Sequence, residues 1–171
     1  DAMRIILFCD NSLHPINNYL RQWKAQNNKD HQIHIIDSLE NVGSGDFLFL
    51  ISCNQYVPQN VRKHFSYVLV LHASDLPNGK GWSPHVWEII GGAEQITVSL
   101  LEASSEIDSG RIWKKEIVLI DKTYLWHEIN DLLFRVELSL VTYAIDNYST
   151  VVPSLQENSE CSSTYERRRP E

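Results

Sequence analysis

One stretch decides the fold of this chain: Leu71-His72-Ala73-Ser74-Asp75-Leu76-Pro77-Asn78-Gly79-Lys80-Gly81-Trp82-Ser83-Pro84. The apolar run 67–71 before it has the length and β-branched content of a buried strand, and His72 stands where we predict that strand to end. The loop that follows is rich in Pro, Gly and Asn, and Ser83-Pro84 is typical of a helix start. A strand, a reactive residue, a loop and a helix in this order are typical of an open α/β sheet with its site at the carboxyl ends of the strands.

The flanking segments agree with such a sheet. Continuous apolar runs predict buried strands at 4–9, 32–36 and 46–52, and helical spacing predicts a helix from residue 16 and a long one after a cap at 121–123. Alternation at 95–101 and 111–120 predicts an appended antiparallel hairpin whose first strand is half-exposed, with Ile112, Ile117 and Leu119 pointing inward. The predicted fold class is α/β, a Rossmann-like open, mostly parallel sheet with flanking helices. A catalytic domain at 1–150 would precede a polar tail at 151–171.

The bulk composition narrows the classes of function. The 171 residues carry a formal net charge of −7, with 43% hydrophobic and 22% charged residues, as in an ordinary soluble domain. Nucleic-acid binding is not expected, because its backbone affinity needs clustered Lys and Arg and the one basic run is 167–169. No apolar run reaches the roughly 18 residues that span a bilayer. The three cysteines lack metal or disulfide spacing, so we expect reduced thiols in a cytoplasmic protein without a metal site.

His72 and Asp108 are the residues that suggest chemistry. Each stands where a predicted strand meets a loop, and a carboxylate beside an imidazole fixes its tautomer and stabilises its charged form. Such a pair can move a proton and stabilise a developing oxyanion. The alternative is a surface histidine and a turn aspartate that never meet, since Asp-Ser-Gly is also an ordinary turn sequence.

At these residues the sequence resembles a known family, the folate-dependent formyltransferases. The run His72-Ala73-Ser74-Asp75-Leu76-Pro77, followed by Gly79 and Gly81, is similar to the family's His-x-Ser-x-Leu-Pro loop. The run 107–112 resembles its Asp-x-Gly motif. The extended form at 71–84 looks most like the sugar-nucleotide N-formyltransferases of bacterial surface glycan biosynthesis, and the tail 164–171 resembles an arginine-bearing segment of those enzymes. The resemblance covers residues 47–140.

The resemblance implies transfer of a formyl group from 10-formyltetrahydrofolate to an amine. His72 would stabilise the tetrahedral oxyanion, and Asp108 would orient the imidazole and help to take a proton from the amine. Two loops would hold the pterin of the folate, through Cys53, Gln55, Tyr56, Ala103, Ser104 and Ile107. The family's usual asparagine two residues before the histidine is Val70 here, and Asn54 is the candidate that replaces its amide. Candidate contacts to the acceptor are Ser74, Lys80, Trp82 and Arg168.

The sequence does not determine which amine accepts the formyl group. We expect an amino-sugar nucleotide, with a UDP-linked 4-amino-4,6-dideoxy sugar of a pseudaminic-acid-type pathway as the specific guess. Methionyl-tRNA is disfavoured because the chain is acidic and no second nucleic-acid-binding domain follows the long helix. Two alternatives remain, which are a 10-formyltetrahydrofolate hydrolase and a catalytically silent folate- or nucleotide-binding module.

Overall fold

The computed structural model describes residues 1–53, 55–73 and 95–156. Six strands within these ranges form one mixed sheet. The strands are β1 (Arg4–Phe8), β2 (Gln32–Ile36), β3 (Gly45–Leu50), β4 (Phe65–Ala73), β5 (Gln95–Glu102) and β6 (Ile112–Leu119). The helices are α1 (Ile16–Asn27), α2 (Gln59–Arg62) and α3 (Trp126–Asn147). The helix predicted after Pro84 lies outside the described residues.

The sheet has the order β2-β1-β3-β4-β5-β6, and its first four strands are parallel. β5 then runs antiparallel to β4, and β6 antiparallel to β5, so the predicted hairpin and the α/β class are confirmed. The strand order reverses at β1, which has β2 on one side and β3 on the other. In open α/β sheets a ligand crevice forms at such a switch point, outside the carboxyl ends of the strands.

Alternate residues of the parallel strands pack on opposite faces of the sheet. Ile5 and Leu7 of β1 join the larger core cluster with α1 and α3, whereas Ile6 and Phe8 join a smaller cluster on the other face. All four are at most 1% exposed, which explains why β1 reads as a continuous apolar run rather than an alternating one. α3 lies on the larger cluster, so this helix covers the sheet beside the switch point.

Two strand predictions were wrong in extent or burial. β4 continues to Ala73, so His72 lies within the strand and not at its end, because His72 and Ala73 pair with Ser99 and Val98 of β5. β5 was expected to be half-exposed, yet Thr97 and Ser99 are 7% and 0% exposed. β5 lies between β4 and β6 rather than at the sheet edge, and both of its faces are shielded from solvent.

The inward residues of β6 were also predicted wrongly. Ile117 and Leu119 are 60% and 72% exposed, whereas Trp113 and Val118 are buried. The pairing explains this, because Leu100 pairs with Lys114 and Leu101 with Ile112, which leaves Trp113 as an extra residue. One inserted residue reverses which side chains face the core, and a period-two pattern cannot show it.

The start of α3 differs from the predicted cap. The Asp121 carboxylate instead accepts the backbone N–H and the hydroxyl of Thr123 at 2.9 and 2.8 Å, which makes a local turn. α3 begins at Trp126, and the Glu128 carboxylate accepts the N–H of Leu125 at 3.3 Å. Glu128 therefore satisfies a backbone donor at the helix start, as the glutamate of a capping box does.

Candidate active site

A cavity of about 550 Å³ opens at the carboxyl ends of β1, β3 and β4. Its walls come from the segments that follow β1 and β3, from the end of β4, from the loop 103–110 between β5 and β6, and from one face of α3. This is the switch-point crevice that the strand order predicts. Both residues of the predicted catalytic pair line it.

The structure brings His72 and Asp108 together across the cavity wall. Nδ1 of His72 lies 3.1 Å from Oδ2 of Asp108, and the two side chains are 7% and 8% exposed. Nδ1–H therefore donates to the carboxylate, and in the charged form of the ring Nε2–H is a second donor that can meet another partner. Nε2 is shielded from solvent and has no hydrogen-bond partner among the described residues. A buried polar atom without a partner is uncommon in proteins, and a ligand oxygen beside this ring would supply one.

Local backbone geometry holds Asp108 in place. Its φ of 55° is in the left-handed region, which aspartate tolerates better than most residues. A Cβ at Gly110 would lie 1.6 Å from the carbonyl oxygen of Glu102, so only glycine allows the loop to pass so close to β5. The side-chain amide of Gln156 donates to the carbonyls of Asp108 and Gly110 at 2.9 and 2.8 Å. The segment after α3 thus supports the loop that carries the carboxylate.

All six predicted pterin-contact residues line this cavity. Ala103 begins the second loop, and its N–H donates to the carbonyl of Val68 at 2.9 Å. The hydroxyl of Ser104 donates to the carbonyl of Glu106 at 2.7 Å, which closes a tight turn. Tyr56 and Ile107 are 48% and 63% exposed at the rim and offer apolar surface to a flat ring. The contacts of all six residues with a pterin stay predictions. These residues are Cys53, Gln55, Tyr56, Ala103, Ser104 and Ile107.

Five other predicted site residues lie outside the described residues. Asn54 is the candidate second oxyanion donor, and the other four are the candidate acceptor contacts. Val70, which replaces the family's asparagine, does line the cavity. Its apolar side chain gives this position no hydrogen-bond donor, so the described part of the wall presents His72 without the expected amide beside it. The four acceptor contacts are Ser74, Lys80, Trp82 and Arg168.

The two cysteines near the cavity are poor nucleophiles. Burial raises the pKa of the Cys53 thiol to about 12, and burial also raises the pKa of the Cys9 thiol. A thiol attacks as its thiolate, so both remain largely unreactive at neutral pH. Both are free cysteines, and no group of three or more His, Cys, Asp or Glu side chains in the described ranges is arranged to hold a metal ion.

The face of α3 that lines the cavity was not predicted from the sequence. Trp126, Asn130, Phe134 and Glu137 recur at helical spacing on this face. Glu137 is 5% exposed and has no hydrogen bond or ion pair to any described residue, and its burial raises the pKa of its carboxyl to about 8. A sequence signal existed, because a lone glutamate stands among Leu133, Phe134, Leu138 and Val141 on the apolar side of a long helix.

His14 was also missed, since it has no ligand spacing to another histidine. The N–H of Ile16 donates to its Nδ1 at 3.1 Å, so the neutral ring carries its proton on Nε2. Burial lowers the pKa of His14, which keeps the ring uncharged at neutral pH. It lines the cavity, and its ring packs edge-on against Phe134 with centroids 5.6 Å apart.

A model of a protein family described as formyl transferase matches residues 10–145, which run from just after β1 to near the end of α3 and include both residues of the predicted catalytic pair. The chain belongs to this family. The resemblance seen in the sequence is therefore confirmed at the level of the family. Among the described residues, no helix is long and apolar enough to cross a membrane.

The proteins that this chain is similar to carry different names. A methionyl-tRNA formyltransferase of Finegoldia magna is 24% identical over 127 residues, which are 74% of this chain and 41% of that protein. The solved structure of a likely sugar N-formyltransferase from Mycobacterium tuberculosis has a TM-score of 0.69 at 20% identity and covers 96% of this chain and 75% of that one. The structure of HypX from Aquifex aeolicus with tetrahydrofolic acid has a TM-score of 0.73 at 19% identity and covers 98% of this chain and 30% of that one.

These likenesses confirm the fold and do not select an acceptor. The chain spans less than half the length of two curated relatives, 41% of the protein from Finegoldia magna and 44% of the methionyl-tRNA formyltransferase of Rickettsia bellii. Those relatives are named for methionyl-tRNA, whereas some structural neighbours are named for sugars. The expected exclusion of nucleic acid therefore finds no support among the relatives.

Proposed function

We propose that this family member is an N-formyltransferase that moves a formyl group from 10-formyltetrahydrofolate to the amine of an amino-sugar nucleotide. The observation that carries the proposal is the buried His72–Asp108 pair at 3.1 Å beside a 550 Å³ cavity, in which Nε2 of His72 has no partner in the part of the chain that the structure describes. The guess of a UDP-linked 4-amino-4,6-dideoxy sugar rests on the resemblance at 71–84.

The pair supplies what formyl transfer needs. The acceptor amine attacks the formyl carbon, a carbon–nitrogen bond forms, and the carbonyl oxygen becomes an oxyanion. Nε2–H of His72 donates a hydrogen bond to this oxygen while Asp108 stabilises the charged ring. The bond from the formyl carbon to N10 of the folate then breaks. The proton lost by the amine passes through the Asp108–His72 pair to N10, so that the products are the formamide and tetrahydrofolate.

The cavity also suits the flat, polar ring of a folate. The backbones of the loops after β3 and β5 offer amides and carbonyls, and the exposed side chains of Tyr56 and Ile107 offer apolar surface at the rim. HypX from Aquifex aeolicus, which has a similar fold, binds tetrahydrofolic acid in its structure. Support for folate is thus independent of the choice of acceptor.

Methionyl-tRNA is the second candidate acceptor, because the relatives matched by sequence are named for it. One assay compares the candidates. The protein is mixed with 10-formyltetrahydrofolate and either a panel of amino-sugar nucleotides or charged initiator tRNA, and tetrahydrofolate release and product mass are followed. Release with a sugar nucleotide alone supports the proposal. Release without any acceptor indicates a hydrolase, and folate binding without turnover indicates a silent module.

Two variants test the assigned roles. We expect His72→Asn and Asp108→Asn to fold normally and each to lower kcat by about 100-fold or more, as the loss of an oxyanion donor or a proton-transfer group does. The matched controls are His64→Asn and Asp146→Asn, which change exposed residues. Near-normal rates in both site variants would remove the mechanism.

A further inference from the structure

We propose that Ser99 is a further catalytic residue, whose hydroxyl donates a second hydrogen bond to the formyl oxygen beside Nε2–H of His72. The inference rests on the proposed function, because it concerns the oxygen that becomes the oxyanion during formyl transfer. It adds a residue of β5 to a pair that comes from β4 and from the loop between β5 and β6.

His72 and Ser99 face each other across two neighbouring strands. The antiparallel pairing of β4 with β5 sets these two residues directly opposite one another. Side chains of directly opposed residues project from the same face of a sheet, with Cβ atoms about 4.5–5.5 Å apart. Ser99 is therefore the residue of β5 whose side chain starts nearest to the imidazole on that face.

Both side chains carry a buried polar atom that lacks a partner. Nε2 of His72 and Oγ of Ser99 are shielded from solvent, and neither has a hydrogen-bond partner among the described residues. Most buried polar groups in proteins are bonded, because leaving one unpaired costs free energy. Two unpaired groups on paired residues indicate one ligand atom that can bond to both.

The surroundings of Ser99 give its hydroxyl no structural use. Ser99 is 0% exposed, and the next residue pair on the same face, Val70 with Leu101, is apolar. Alanine would fill such a position without burying an unpaired hydroxyl. A ligand therefore explains the hydroxyl better than the packing of the sheet does.

The place between the two atoms suits a single oxygen. His72 lines the 550 Å³ cavity, whereas Ser99 lies beside His72 and outside that lining. Because Ser99 is fully shielded, a small group such as the oxygen of a formyl group can meet its hydroxyl, whereas a ring cannot. Preorganised donors stabilise an oxyanion strongly, and a serine hydroxyl is such a donor. Ser99 would thus supply from β5 the donor that Val70 does not supply on β4.

Binding of two stable folate analogues tests the contact without turnover. The full chain is titrated with 10-formyl-5,8-dideazafolate and with 5,8-dideazafolate, which lacks the formyl group, and heats of binding are measured. Ser99→Ala should weaken the formyl analogue about fivefold, as the loss of one hydrogen bond does, and leave the other analogue within about twofold. Ser99→Thr keeps the hydroxyl and should stay close to the wild type. The matched control Ser66→Ala changes an exposed serine of β4 and should have no effect.

Kinetics and stability separate a catalytic role from a structural one. Ser99→Ala should lower kcat about 100-fold with both KM values little changed, as the loss of an oxyanion donor does. The free energy of unfolding in urea should not fall, since the hydroxyl has no bond to a described residue. Equal binding of the formyl analogue by wild type and Ser99→Ala would overturn the inference, and so would equal weakening of both analogues. The proposed function fails separately, by the absence of formyl transfer to any amino-sugar nucleotide, and the binding comparison decides the role of Ser99 in that case as well.

Discussion

Replacing Glu137 with glutamine should change the pH dependence of folding. The side chain is buried in the wall between α3 and the sheet and has no bonded partner among the described residues, so the folded state strongly prefers its neutral form. Glutamine has nearly the same shape and never ionises. The variant therefore removes the cost of charging this group and leaves the packing of α3 in place.

The magnitude follows from the two pKa values. The folded pKa is about 8 and the ordinary value is 4.5. Between these values the folded state holds a proton that the unfolded state has lost, so the free energy of unfolding falls as pH rises. The slope is about 1.4 kcal/mol per pH unit, and the contribution is fully present below pH 4.5 and lost by about pH 8. The total is about 5 kcal/mol, a large part of a typical domain's stability.

The assay is urea unfolding at pH 5, 6, 7 and 8, followed by the fluorescence of the tryptophans. The stability of the wild type relative to Glu137→Gln should fall steadily over this range, with the slope against urea unchanged. The exposed control Glu40→Gln should run parallel to the wild type. If Glu137→Gln also runs parallel to the wild type, the carboxyl is not held neutral by burial, and the reasoning about its environment fails.

Three further predictions concern the loops around the cavity. Gly110→Ala should lower the free energy of unfolding by about 3 kcal/mol or more in urea, because the new Cβ would lie 1.6 Å from the carbonyl oxygen of Glu102. A change below about 1 kcal/mol would contradict this close approach. Gln156→Ala should lower the free energy of unfolding by about 1–2 kcal/mol, because it removes the two hydrogen bonds that hold the loop of Asp108. It should also lower kcat and leave the KM for folate little changed, and an unchanged kcat would show that Asp108 needs no such support. Cys53 should react with iodoacetamide at pH 8 about 1,000-fold more slowly than an exposed cysteine, because burial raises the pKa of its thiol from the ordinary 9.0 to about 12. Mass spectrometry of the peptide that contains Cys53 measures this rate, and an ordinary rate would place the thiol in solvent.

The sequence predicted the elements that depend on local pattern. β2 and α1 were predicted from the spacing of their apolar residues, since a strand or helix that buries one face has apolar residues at regular intervals along the chain. It predicted the site pair as well, because His72 and Asp108 each stand beside a loop that the turn residues make visible. The motif resemblance then supplied the family, which the match over residues 10–145 confirmed.

Tertiary structure decided what depends on non-local pairing. The extra residue Trp113 reversed the inward side of β6, and pairing with β5 carried β4 past His72. Glu137 and His14 became cavity residues through the packing of α3 over the end of β1, which no spacing along the chain records. The local sequence determines which face of a strand or helix is apolar, whereas the fold of the whole chain determines which other element packs against that face. His14 and Glu137 come from distant segments, so only the folded chain brings them to the same cavity.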